Sequence, residues 1–166
     1  MSGGHTLVLL ARSPHSFKLL STTLDLAIGN VYDRCSKYLD IPPDPLLGRG
    51  AALEQFSRTI STTPRPTPSP KYPFLPLIYQ PSFRYKLESM SFTGLDTAVR
   101  RSIEGSPEPL TNDQRLHIAQ AFQDAAASLV CEKILLALRW CSDHQANVTG
   151  LVASGGVASN LYLRER

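Results

Sequence analysis

The sequence predicts an α/β domain on three observations. Two β-type runs stand near the start, apolar residues recur at helical spacing through much of the rest, and a short apolar run enters a glycine turn near the end. A length of 166 residues suits one domain. A composition of 42% hydrophobic and 19% charged residues is that of a globular chain and excludes a mainly disordered or collagen-like one.

The first run, Thr6-Leu7-Val8-Leu9-Leu10-Ala11, starts almost at once after Ser2-Gly3-Gly4. A turn with Ser13-Pro14 follows, then Phe17 to Thr23, so the two runs predict a hairpin. Leu26, Val31, Cys35, Tyr38 and Leu39 predict a helix that Pro42-Pro43 stops, and Ala51 to Phe56 predicts a short second one behind Gly48-Arg49-Gly50. Seven of the 13 prolines then lie between Pro64 and Pro81. Proline fixes φ and removes a donor, so an extended insertion or linker is expected there.

Beyond it, Leu95, Val99 and Ile103 predict a helix with Thr93 as its cap. Thr111 and Gln114 form a capping box that opens the longest helix, carried to Cys141 by Ala119, Phe122, Ala126, Val130, Ile134 and Leu138. Cys35, Cys131, Cys141 and the single Trp140 are expected in the core. Leu151-Val152-Ala153 is expected to be a short buried strand running into Ser154-Gly155-Gly156, with a helix from Ala158 to Arg166. The organisation expected is thus residues 1–62, an insertion over 63–90, and residues 91–166.

The formal charge is +3, with basic residues scattered. Charge alone therefore permits a nucleic-acid partner without announcing one. Three cysteines without a CxxC pair predict neither a disulfide framework nor a zinc ribbon. The longest apolar stretch falls far short of the roughly 20 residues a spanning helix requires, so no membrane partner is expected. The N-terminal residues carry no signal or transit pattern.

The two Ser-Gly-Gly elements, at 2–4 and 154–156, are the first candidates for chemistry. Glycines let backbone N–H groups approach an anion closely, and a following helix adds a partial positive charge. Each turn alone fits tight packing as well, but two around an α/β core point to a nucleotide cleft.

Five blocks then resemble, in order, those of the TsaD/Gcp-like family, the tRNA threonylcarbamoyladenosine synthases once called O-sialoglycoprotein endopeptidases. They are Ser2-Gly3-Gly4-His5-Thr6, Asp25 to Asp33 (DLAIGNVYD), Gly50-Ala51-Ala52-Leu53-Glu54, Ser91 to Val99 (SFTGLDTAV) and Ser154 to Asn160 (SGGVASN). The Phe92-Thr93-Gly94-Leu95 stretch and the proline-rich insertion resemble the bacterial and fungal mitochondrial branch.

The resemblance implies the second lobe of an actin/Hsp70-like ATPase (ASKHA) fold, truncated at both ends. It implies transfer of a threonylcarbamoyl group from its adenylate to adenosine beside the tRNA anticodon. Ser2, Gly3 and Gly4 would cradle the phosphate side of the adenylate, Asp33, Gly50 and Glu54 would bind the ribose and its surroundings, and Gly155, Gly156 and Asn160 would hold the nucleotide from the other side. Threonylcarbamoyl-adenylate, tRNA, a second copy or other threonylcarbamoylation proteins are the implied partners. The mitochondrion is the implied location, with the cytoplasm as alternative.

The family's metal (iron, zinc or magnesium) is held by a His-x-x-x-His pair and a later Asp. No ligand set is expected here, because His5, His15, His117 and His144 contain no i, i+4 pair. An incomplete chain, inactive alone, is therefore expected, and the alternative is a half-length paralogue that serves as a non-catalytic assembly module. Two further readings remain open. Asp33 can pair with Arg34 or Lys37 on a helix surface, and Arg84, Lys86, Arg100 and Arg101 form either a phosphate-binding patch or a solvated face.

Overall fold

A computed structural model describes residues 4–60, 87–106 and 109–166. Strands β1 (Leu7–Ser13) and β2 (Ser16–Thr23) form the expected hairpin, and β3 (Ser89–Met90) runs parallel to β2, giving the order β1-β2-β3. β3 falls inside the range assigned to the insertion; residues 63–86 of that range lie outside the described residues.

The hairpin register pairs Leu9 with Leu19 and Ala11 with Phe17, with irregularities after Val8 and Ala11. Because successive side chains alternate in direction, one face carries Leu20 inward while Leu7, Leu9, Phe17 and Leu19 point to solvent. These four are 39–59% exposed, so this face of the sheet is apolar and uncovered among the described residues.

Four helices build the core. These are α1 (Ile28–Tyr38), α2 (Gly48–Ser57), α3 (Thr93–Glu104) and α4 (Asn112–Asp143). Val31, Cys35, Leu53, Phe92, Val99, Ala119, Phe122 and Ala126 are fully buried where they meet. At 1.5 Å per residue the 32 residues of α4 span about 48 Å. Its first half packs on the other helices, and its second half places Ala137 and Cys141 under Leu20 of the hairpin.

The expected capping box is present. Gln114 N–H donates to Thr111 Oγ1 at 3.3 Å, and Thr111 N–H donates to Gln114 Oε1 at 2.8 Å.

Several expectations need correction. Leu151-Val152-Ala153 is neither a strand nor buried: Leu151 is 66% exposed and Val152 90%. A strand needs a ladder to join, and none of the described strands pairs with this segment. The helix expected over 158–166 is a 3-10 turn, Gly156–Ser159, followed by α5 (Leu161–Arg164). Asn160 divides the two because its side chain caps α5.

Thr93 does not cap α3. Phe92 holds the cap position without a side-chain cap bond, and Asp25 supplies the acceptor instead. Trp140 is half-buried at the edge of the hairpin cluster, with Lys18 Nζ 4.3 Å from the ring centre and His144 stacked at 3.9 Å. Cys35 and Cys141 are buried as expected, Cys131 only partly so, and Leu138 is 40% exposed.

Candidate functional site

The site begins at the first turn of α1. Thr6 Oγ1 accepts the Ile28 N–H at 3.1 Å, so the segment just after the first glycine element is tied to the start of this helix. Of that element, Gly4 is exposed, and Ser2 and Gly3 lie outside the described residues. A Cβ placed on Gly29, the next residue of α1, would lie 3.5 Å from Val157 Cγ2. The second glycine turn therefore rests against the same helical turn. The first turn of α1 contains no acidic residue, and its N-cap, Ala27, makes no side-chain cap bond.

Asp33 follows Gly29 by four residues and so shares its face of α1. There it meets α2, where a Cβ on Gly50 would lie 3.7 Å from Asp33 Oδ1. Four residues further along α2, Glu54 Oε1 accepts the Leu161 N–H at 2.8 Å. Leu161 directly follows Asn160, which is 6% exposed and accepts the Leu163 N–H on Oδ1 at 3.0 Å. The positions singled out from sequence thus close a circuit: Gly29 to the turn, the turn through Asn160 and Leu161 to Glu54, then along α2 to Gly50 and across to Asp33. Gly155, with φ of 107°, lies in the region that favours glycine. Both Gly155 and Gly156 are exposed, with nothing within 4 Å of an added Cβ.

The electrostatics follow from this packing. Tyr32, buried beneath the patch edge-on to Phe122 at 4.9 Å, has its phenol pushed far up, first by burial and then by the Glu54 carboxylate. It is a neutral floor. Glu54 also faces Arg58 Nε at 3.6 Å. Asp33 is exposed, and of the two partners left open for it, Arg34 or Lys37, Arg34 turns elsewhere: its Nε lies 2.9 Å from buried Asp96, and its other contact is the Tyr38 hydroxyl. Arg100 pairs with Glu104 at 3.7 Å, while Arg84 and Lys86 lie outside the described residues.

The sequence reading missed Asp25, which sits between β2 and α1. Its carboxylate accepts Ser91 Oγ–H at 2.5 Å, Leu26 N–H at 2.7 Å and Phe92 N–H at 3.0 Å. Burial alone would raise its pKa, but these bonds and one from Thr93 hold it below the usual carboxylate range. Asp25 opens the block Asp25 to Asp33, and its partners Ser91, Phe92 and Thr93 open another, but nothing in either block showed that the two meet. Asp124 and Tyr162, which join α4 to α5, gave no signal at all.

No group of three or more His, Cys, Asp or Glu converges as a metal site among the described residues. The described residues alone therefore do not fit the family's metal. Among the described residues no helix is long and apolar enough to cross a membrane.

A small mixed sheet flanked by helices, with the second glycine turn resting on the first turn of α1 and Asp33 on the same helix face, defines an α/β domain with an open polar patch. The whole chain, residues 1–166, matches the family described as TsaD: tRNA N6-adenosine threonylcarbamoyltransferase, and it belongs to that family. It is 37% identical over 168 residues to the mitochondrial tRNA N6-adenosine threonylcarbamoyltransferase of Schizosaccharomyces pombe, covering 99% of this chain and 38% of the relative. It is 34% identical to a tRNA N6-adenosine threonylcarbamoyltransferase of Chromobacterium violaceum and 32% to one of Nitratidesulfovibrio vulgaris, covering 99% of this chain each time and 43% and 45% of those proteins. The chain thus spans less than half the length of these relatives.

Proposed function

We propose that this chain supplies one wall of the nucleotide cleft of a tRNA N6-adenosine threonylcarbamoyltransferase, in an actin/Hsp70-like lobe. The closed circuit joining Gly29, Val157, Leu161, Glu54, Gly50 and Asp33 carries the reading. In the transfer, the N6 amine of adenosine attacks the carbamoyl carbonyl carbon of threonylcarbamoyl-adenylate. The bond from that carbon to the phosphate oxygen breaks, AMP leaves with the electron pair, and the amine gives up a proton.

The negative charge of the departing phosphate is what backbone N–H groups and a helix start stabilise. We assign that role to Ser2, Gly3 and Gly4 together with Gly155 and Gly156. Asp33 accepts hydrogen bonds from ribose hydroxyls beside Gly50, whose lack of a side chain keeps the approach open. Glu54 has Oε1 engaged by Leu161, which leaves Oε2 for the sugar. Asn160 has Oδ1 engaged by the α5 cap and meets the nucleotide as a donor through Nδ2. A divalent metal, where the family uses one, supplies Lewis acidity at the reacting groups. Its ligands would come from outside the described residues, and no step above runs through it.

The substrate RNA is tRNA, and the mitochondrion is the proposed location, in keeping with the Schizosaccharomyces pombe relative. The test is nucleoside analysis of tRNA incubated with threonylcarbamoyl-adenylate. Modified adenosine should form when the part of the family outside the matched region is also supplied, and Asp33→Ala or Asn160→Ala should reduce it at least tenfold. Undiminished product with either variant would end this reading.

One observation favours a second reading. The Leu7, Leu9, Phe17 and Leu19 face, which none of the described residues covers, suits an assembly module for a full-length relative. Co-purification with such a relative, without any contribution to its product yield, would favour it.

A further inference from the structure

Hydrogen bonds tie the 3-10 turn and α5 into one unit. Ser159 Oγ–H donates to the Gly156 carbonyl at 2.6 Å, and Arg164 Nε–H donates to the Ala158 carbonyl at 2.7 Å. Asn160 links the two by capping α5. Yet α5 has four residues, far too few to be stable alone, so ties to other elements must set where this body sits.

Beside the packing of Val157 on α1, two such ties run to α2: Glu54 to the Leu161 N–H, and Arg58 Nη2 to Glu165 at 3.6 Å. A further tie runs to α4, the longest helix. There the Tyr162 hydroxyl donates to Asp124 Oδ1, and Arg166 Nη2 lies 2.5 Å from both groups. Burial first, and the Asp124 carboxylate after it, raise the phenol's pKa, so Tyr162 stays the donor at neutral pH. The Arg58–Glu165 ion pair is largely exposed and contributes little, and the Arg166–Asp124 pair is partly exposed. The Tyr162–Asp124 hydrogen bond is half-buried and directional.

We infer that Tyr162 and Asp124 are positioning residues: their hydrogen bond fixes the second glycine turn and Asn160 against α1, and so sets how well the patch holds a nucleotide. Neither residue touches the proposed ligand. The inference rests on the functional reading above only for the identity of that ligand; the positioning itself is a property of the turn.

The experiment uses the 166-residue chain, with AMP as the probe. Tyr162→Phe and Asp124→Ala should each weaken AMP binding about five- to tenfold, less than a fully buried hydrogen bond to a charged group would give, because this pair is half-buried. The double variant should be no weaker than either single one. Asp124→Asn, which keeps an acceptor oxygen for the Tyr162 hydroxyl while giving up the carboxylate's charge, should restore affinity to within about threefold of wild type. In amide NMR spectra the Gly155, Gly156 and Asn160 side-chain resonances should shift, while those of Thr111, Gln114 and the hairpin stay in place.

Unchanged turn resonances, additive losses, or shifts spread through the whole chain would overturn the inference. If wild type binds no AMP, the functional reading fails, and the resonance pattern alone then decides the positioning: a local shift at the turn upholds it, and no shift overturns it.

Discussion

Asp25→Ala tests the join between the start of α1 and the start of α3. The substitution removes a carboxylate that accepts from Ser91 Oγ–H, Leu26 N–H and Phe92 N–H, and it leaves the Phe92 N–H, in a part-buried position, without its acceptor. Hydrogen bonds to a charged group contribute about 1.5–3 kcal/mol each where water is excluded. Asp25 is exposed, so water recovers part of each bond, and the expected loss is about 1–3 kcal/mol in all. For a chain of this length that lowers the melting temperature by about 2–12 °C.

The sign of the pH dependence follows from the depressed pKa. The stabilisation is fully present above the unfolded value near 3.9 and disappears as pH falls through the lower folded value. Asp25→Asn should therefore melt below wild type at pH 7, with the gap closing toward pH 2. Circular dichroism melts at pH 7, 4, 3 and 2 read this directly. A gap of equal size at all four values, or Asp25→Ala melting within 1 °C of wild type at pH 7, would refute the argument.

Gly155→Ala forces a side chain into backbone that only glycine adopts readily and should cost about 1–3 kcal/mol. Gly156→Ala, with open space around it and no positive φ, should leave the melting curve in place. Thr111→Val removes the α4 cap and should lower stability by about 1 kcal/mol, read from the urea midpoint. Leu9→Lys combined with Phe17→Ser should reduce self-association in light scattering, because both side chains lie on the uncovered sheet face. Unchanged scattering would show that this face drives no association.

The hairpin, α1, α2, α3 and α4 were legible because local signals specify them. Period-2 and period-3.6 apolar spacing need only neighbouring residues, and the capping box at Thr111 and Gln114 is complete within four positions. The candidate patch was legible for a different reason: its residues stand in motif blocks, and helical spacing of four puts Gly29 with Asp33, and Gly50 with Glu54, on common faces. Their meeting across helices was not legible.

Asp25 reaches Ser91 across 66 positions and Tyr162 reaches Asp124 across 38, and neither spacing leaves a pattern in the chain. The failure at Leu151 to Ala153 has another cause. An apolar run shows that burial would be favourable, but burial also requires a surface to pack on, and the described strands offer none. At Asn160 a capping side chain won over continued helix, which is the preference of Asn for an N-cap over a helix interior.

The most direct test of the central claim is an amide NMR titration of the chain with AMP. If this patch is one wall of a nucleotide cleft, the largest shifts fall on Gly4, Gly29, Asp33, Gly50, Gly155, Gly156 and the Asn160 side chain, and Asp33→Ala reduces them. Shifts centred on the hairpin or the far end of α4, or none at millimolar AMP, would contradict it.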